Sequence, residues 1–440
     1  MMPFIRPLLL VLLFAMPAAA ENRIDTIRPD APELAKYGSL PVGVRTMEFT
    51  NPGMIDVAAA EANATDGVRP DPLPTVDRKL TVEIFYPAAA DASGSTTYEA
   101  AMRDGTMVEL EGRAMRDAAA ASGETYPLVL ISHGYPGNRF LLSHLAENIA
   151  SKGYVVASID HPASTYTDLK AFGDTLRNRP LDQIAVLNGI AEEAAKEGSP
   201  LAGLVDPENA ALIGYSMGGY GALIASGAGI TEQATKFPFM NTLGLADVHV
   251  AGSDTQIEAD PRIKTVIAFA PWGKNYEFWS ADALASITVP TLLVAGSQDD
   301  VSGYENGVRA VFEQMKGADR ALLTYEGANH NAGAPMPAPA EALAKALEAG
   351  TAAPYDHYAD AVWDNVRMNN VAQHFVTAWL NRALKGDAEA NKYLELVPVA
   401  ADGVVSVEED GTRKDDYSYW EGFPARTAKG LRYETRAAGE

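Results

Sequence analysis

Residues 210–223 read Ala210-Ala211-Leu212-Ile213-Gly214-Tyr215-Ser216-Met217-Gly218-Gly219-Tyr220-Gly221-Ala222-Leu223. A short apolar run ends in Gly-x-Ser-x-Gly and opens directly into a second apolar run. The glycines flanking Ser216 have a steric reason. A serine at a sharp strand-to-helix turn takes strained backbone angles, and side chains two positions away would clash. Such a turn lifts the hydroxyl above the C-terminal edge of a sheet, facing a helix N-terminus. A glycine-rich turn without chemistry has the same composition, so the reading depends on what the rest of the chain supplies.

Outward from this turn, eight short apolar runs predict strands: 42–49, 79–86, 127–132, 154–160, 210–213, 264–270, 291–295 and 321–325. The last six are continuous rather than alternating, as in Leu128-Val129-Leu130-Ile131. Continuous apolar strands are buried on both faces, as in a parallel sheet covered by helices. Helical patterns fall between them at 140–152, 181–197, 218–228 and 305–316, with a last long one at 358–384. This alternation predicts an α/β fold with a mostly parallel eight-stranded sheet and helices on both faces. The first two strands have no helix between them, so an antiparallel start is expected.

Three segments exceed ordinary connections and are read as lid-like insertions: 91–126, partly helical at 112–121, then 230–260, and the Ala/Pro-rich 331–354. The tail from residue 399 has few apolar residues and is expected to wrap the surface. Residues 1–20 carry Arg6, an apolar run at 8–16 and Pro17-Ala18-Ala19-Ala20. This is the pattern of a signal peptide cleaved after Ala20, leaving residues 21–440 as a single domain. The apolar run is too short to span a bilayer, so no stable membrane anchor is expected.

The 440 residues carry a formal charge of −23, from 35 basic and 58 acidic side chains. That balance argues against nucleic acid as a partner. Cysteine is absent, which excludes disulfides, a thiol nucleophile and thiolate metal sites. No His-Glu-x-x-His, phosphate loop or dinucleotide fingerprint occurs, so neither metal nor cofactor is expected.

A serine hydroxyl needs a base, usually histidine. Of the seven histidines, His330 lies in Glu326-Gly327-Ala328-Asn329-His330, just past the last expected strand. A loop there shares the sheet edge with Ser216. The base needs a carboxylate to fix its tautomer. Gly296-Ser297-Gln298-Asp299-Asp300-Val301 ends the seventh strand and offers two. Asp299 is favoured, because Val301 two positions on can anchor the loop and turn the carboxylate inward; Asp300 is the alternative. Acyl transfer also needs donors for an oxyanion. The backbone N–H of Met217 follows the nucleophile. In Ser132-His133-Gly134-Tyr135-Pro136-Gly137, Gly134 lets the chain turn the Tyr135 N–H inward, whereas Pro136 has none to give.

Residues 131–162, with His133-Gly134, Leu145-Ala146, Gly153-Tyr154 and Asp160-His161-Pro162, resemble the platelet-activating-factor acetylhydrolase and dienelactone hydrolase branch of α/β-hydrolases. The likeness covers roughly residues 40–385, and the order Ser216, Asp299, His330 is that of the superfamily. Two departures matter. Dienelactone hydrolases use a Cys nucleophile, and this chain has none. The acetylhydrolases place their acid after the sixth strand, where this chain reads Ala268-Phe269-Ala270-Pro271-Trp272. An acid after the seventh strand is similar to bacterial cutinase-type polyester hydrolases, which also carry a Trp near this position. That resemblance makes Trp272, with Tyr215 of the elbow, a candidate substrate contact.

The expected function is an exported serine hydrolase that cleaves carboxylic esters, small or polymeric, through an acyl-enzyme. One alternative is a serine peptidase or amidase on the same fold. The prolyl-oligopeptidase type, which usually carries a large N-terminal propeller, is not expected, because about 100 residues before the third strand cannot form one. A non-catalytic binding protein would predict a broken triad.

Overall fold

The computed structural model describes residues 22–170, 172–237 and 243–440. The expected signal peptide at 1–20 lies outside the described residues, as do 238–242 of the expected 230–260 insertion.

All eight expected strands form. They are β1 (Val42–Ile55), β2 (Thr75–Pro87), β6 (Tyr126–Ser132), β7 (Val155–Ile159), β8 (Val205–Tyr215), β9 (Ile263–Phe269), β10 (Thr291–Gly296) and β11 (Arg320–Tyr325). Four strands were not foreseen: β3 (Thr97–Ala101), β4 (Met107–Glu111), β5 (Met115–Arg116) and β12 (Leu431–Arg436). The main sheet has ten strands in the order β12-β11-β10-β9-β8-β6-β7-β2-β1-β5, and β3 with β4 forms a separate hairpin. Pairing from β7 through β6, β8, β9 and β10 to β11 is parallel. The start is antiparallel, β1 on β2 and β2 on β7.

The continuous apolar strands are buried on both faces, with alternate side chains sent to opposite sides. Val129, Ile131, Ile213, Phe269, Val294 and Leu323 join one core with α2 (Ser143–Ala150) and α8 (Asn365–Lys385). Leu128, Leu130, Leu212, Ala268, Leu293 and Leu322 join the other. That second core holds α3 (Phe172–Ala195), α4 (Met217–Ala225), α5 (Ala281–Ala285) and α6 (Ala310–Gln314).

The structure differs from the sequence reading in four places. Residues 112–121 are not helical. The N–H groups of Arg113 and Ala114 donate to the buried Glu147 carboxylate at 2.9 Å, and those of Arg116 and Asp117 go to Ser95 O and Val44 O rather than back to residues 112 and 113, so no helical turn closes. The tail adds β12 antiparallel to β11. Only Leu431 and Tyr433 of that strand are buried, the half-apolar pattern of an edge strand. α3 begins nine residues before the expected 181 and carries Pro180 inside it. Arg78 holds the turns on both sides of that proline, through Asp174 and Asp182. α8 begins at Asn365, because the Asp364 side chain caps Arg367 N at 2.8 Å. Two further helices are α1 (Val57–Ala62), after β1, and α7 (Ala340–Ala349), inside the expected 331–354 insertion.

Among the described residues, no helix is long and apolar enough to cross a membrane.

Candidate active site

The turn between β8 and α4 has the strain its glycines implied. Ser216 sits at φ +53° and ψ −112°, a region L-residues rarely visit. Its N–H donates to Phe269 O at 2.8 Å, which ties the turn to β9. A Cβ on Gly214 would lie 2.2 Å from Gly218 O, and one on Gly218 only 2.0 Å from Ser132 O. Both positions therefore require glycine. Met217 opens α4, whose first intrahelical bond is Tyr220 N to Ser216 O, so the Met217 N–H has no intrahelical acceptor.

Past β10, Asp299 folds inward and Asp300 outward. One Asp299 oxygen accepts the N–H groups of Val301 and Ser302, both at 2.9 Å. Each carboxylate oxygen lies 3.0 Å from Nδ1 of His330, on the loop after β11. Burial alone would push the Asp299 carboxyl up. The hydrogen bond and charge of His330, with the two backbone N–H groups, outweigh it and hold the pKa below its ordinary value. An ionised carboxylate only accepts, so His330 Nδ1 carries a proton and Nε2 is left as the basic nitrogen. Gly296 lets the two loops meet, since a Cβ there would lie 2.2 Å from Asn329 O.

Ser216 and His330 line one cavity of about 310 Å³, with Tyr135, Tyr215 and Asp300. Tyr215 stacks obliquely on His330 with centroids 5.2 Å apart, and its hydroxyl donates to Asn331 Oδ1 at 3.0 Å. Burial pushes its phenol pKa up. Trp272 is placed elsewhere. Its ring packs against Phe172, Tyr276 and Phe278 with centroids 5.0–5.4 Å apart, behind the elbow, and it is not among the cavity-lining residues.

The loop after β6 is pinned from behind. His133 Nε2 accepts the His161 N–H at 3.2 Å, so the His133 proton sits on Nδ1, which donates to Gly134 O at 2.7 Å. The Gly134–Tyr135 peptide is trans. Its N–H, anti to that carbonyl, is therefore directed away from His133, and both Gly134 and Tyr135 line the cavity. Burial, then the Arg179 charge, holds His133 neutral. Gly137 makes room, as a Cβ there would come within 2.6 Å of Nδ1. A second Ser-His-Asp array supports this loop: Ser132 Oγ is 2.8 Å from His161 Nε2, and His161 Nδ1 is 3.0 Å from Asp182. Its members are at most 2% exposed, so it is closed to any substrate.

Several cavity residues had no sequence signal, Arg103, Asp356 and His357 among them. Arg103 lies in the β3–β4 turn and His357 beyond α7. No motif surrounds either, and both reach the site only through the fold. Among the described residues, no cluster suited to a metal ion occurs.

A central mostly parallel sheet, a serine elbow and an Asp-supported histidine define an α/β-hydrolase. The sequence matches the model of a family described as PET hydrolase-like over residues 112–251 and 239–345, more than half of the chain, and the chain belongs to that family. It is 29% identical over 207 residues to "Cutinase 1" of Thermobifida cellulosilytica, covering 47% of this chain and 61% of the cutinase. It is equally 29% identical over 207 residues to a cutinase of Thermobifida fusca (strain YX), covering 53% of it. The chain thus spans less than two thirds of either relative. A Bacillus subtilis (strain 168) protein, "Uncharacterized peptidase YuxL", is 25% identical over 244 residues, covering 52% of this chain and 34% of that protein. The solved structure of a ferulic acid esterase from Streptomyces cinnamoneus superposes with a TM-score of 0.54 at 20% identity, covering 81% of this chain and 94% of the esterase. That last likeness speaks for the fold.

Proposed function

We propose that this chain is a serine hydrolase of carboxylic esters, exported by its first 20 residues and acting as one domain from Glu21. The observation that carries the reading is that His330, held by Asp299, lines one cavity with the strained Ser216. In this mechanism His330 Nε2 takes the proton of Ser216 Oγ as the hydroxyl attacks the ester carbonyl. The oxyanion receives hydrogen bonds from the N–H groups of Met217 and Tyr135. Collapse of the intermediate expels the alcohol, which takes the proton from His330 and leaves an acyl-Ser216. Water, deprotonated by His330, then attacks the acyl-enzyme and releases the acid. Asp299 holds the imidazole and offsets its transient positive charge. Tyr215 shapes the wall beside His330, and Trp272 supports the elbow from the core.

The cutinase relatives support an ester as the substrate. A peptidase on the same fold is a second reading, favoured by the Bacillus relative's name. One experiment tests both. A panel of p-nitrophenyl esters, neutral polyesters and peptide anilides is assayed, and an organophosphonate is used to label the protein. Ester turnover with labelling at Ser216 is expected. Anilide turnover exceeding ester turnover would move the assignment to amide cleavage, and labelling at another serine would overturn the mechanism.

A further inference from the structure

Arg103 presents a charge to the Ser216 cavity that no neighbouring carboxylate answers. Its Nη1 donates to Nδ1 of His357 at 2.8 Å, and its backbone N–H donates to Tyr358 Oη at 3.2 Å. A guanidinium only donates, so His357 Nδ1 accepts and its proton sits on Nε2, which donates to Tyr166 Oη. His357 is buried and, with Arg103 beside it, its pKa is pushed down to about 3, so it is neutral. The contact fixes the guanidinium without cancelling its charge. Among the described residues, no carboxylate lies within ion-pair distance of Arg103. The adjacent Asp104 is engaged by Lys345 at 2.7 Å. A guanidinium has five N–H donors, and its planar edge matches a carboxylate in a two-pronged hydrogen bond.

Two further features set where an anion would sit. Arg103 borders a second groove of about 720 Å³, formed with Asp104, Lys345 and Glu348, so it stands between that groove and the Ser216 cavity. Asp300 and Asp356 also line the Ser216 cavity, and both are exposed. They disfavour a carboxylate beside them, and among the described lining residues Arg103 supplies the one fixed positive charge. Resting on the ester-hydrolase reading above, we infer that the preferred substrates are esters bearing a free carboxylate, half-esters of dicarboxylic acids or acid-terminated oligoesters. The carboxylate docks on Arg103 while the scissile carbonyl sits at Ser216.

The test compares mono-p-nitrophenyl adipate with its neutral methyl ester, together with calorimetric binding of adipate itself. The wild type should hydrolyse the acid with a kcat/KM at least about ten-fold above that of the methyl ester, the scale of a charge-assisted hydrogen bond. The advantage should shrink with added salt. In Arg103→Gln the ratio should fall to about one, and in Arg103→Lys part of it should return. Adipate should bind the wild type and bind at least about ten-fold more weakly to Arg103→Gln. An equal rate on both esters, preference for the methyl ester, or an equal loss on both in Arg103→Gln would overturn the inference. Adipate binding that depends on Arg103, without turnover of any ester, would support the anion site and sink the hydrolase reading instead.

Discussion

The carboxylate of Asp299 meets His330 Nδ1 with both oxygens at 3.0 Å, while Asp300, one residue on, is exposed. The side chain of Asp299 is wholly enclosed. Adjacent carboxylates of identical chemistry thus have opposite environments. The cause is local: the Val301 and Ser302 N–H groups capture one Asp299 oxygen and turn that side chain toward β11.

Asp299→Asn should therefore lower ester turnover by about 10²–10⁴, because the histidine loses its tautomer control. Folding should survive, since an amide oxygen can still accept the two backbone N–H groups. Asp300→Asn should change turnover by less than about three-fold, as an exposed charge beside the cavity is well screened. Steady-state kinetics on one chromogenic ester checks both, and the reverse ranking would transfer the role to Asp300.

Gly218→Ala tests the elbow. The added methyl would meet Ser132 O at 2.0 Å and His133 O at 3.0 Å, both backbone atoms of the oxyanion-side loop. Relief requires moving either the helix start or that loop, at a cost of about 1–3 kcal/mol. A lower melting temperature and a turnover loss above ten-fold are expected together. A variant with unchanged melting and turnover would mean the turn is less crowded than described.

His133→Phe removes the donor to Gly134 O while keeping a ring of similar size. The Tyr135 N–H is then free to rotate away from the cavity. Loss of one oxyanion donor costs about 10²–10³ in kcat, which is an upper limit for a residue acting through the peptide it holds. The signature is a fall in kcat with KM nearly unchanged. A rise in KM with kcat intact would give His133 a role in substrate binding instead.

The sheet and the site differ in how visible they were in the sequence. Strands such as β6 and β10 announce themselves as apolar runs, because burial on both faces leaves no room for polar residues. Ser216 and His330 were legible because an elbow and a post-strand loop leave fixed traces in chain order. β12 was not, since an edge strand with one buried face hides in a polar tail. Residues 112–121 were misread because their alanines suit a helix, whereas the N–H groups of Arg113 and Ala114 are claimed by Glu147, 34 and 33 residues away in sequence, and those of Arg116 and Asp117 by Ser95 O and Val44 O. Arg103 and His357 sit in insertions with no motif, brought together by a 2.8 Å contact across 254 positions. Local patterning carries no information about such a pair.

The buried histidines predict acid sensitivity, and His144 isolates the effect. Its ring is fully enclosed on α2, neither nitrogen has a partner among the described residues, and burial pushes its pKa down to about 3. His374 and His249, also held neutral by burial, fall to about 3 and about 4. A depressed folded-state pKa means the unfolded chain binds the proton first. The stability that the neutral histidine contributes is complete above its unfolded pKa of about 6.5 and is lost as pH falls toward the folded value, at about 1.4 kcal/mol per pH unit. Glu147 and Asp182, whose carboxyl pKa values burial raises, act in the opposite sense and offset part of the global loss. A global pH scan therefore mixes the two, whereas His144→Leu removes one proton site alone. Leucine also removes two buried nitrogens that lack partners, so the variant should melt no lower than the wild type at pH 7.5. On going to pH 5 the difference should widen in favour of the leucine variant by about 2 kcal/mol. Urea unfolding of both proteins at the two pH values measures it. Parallel curves, with no widening at pH 5, would show that His144 titrates in the fold as it does in the unfolded chain.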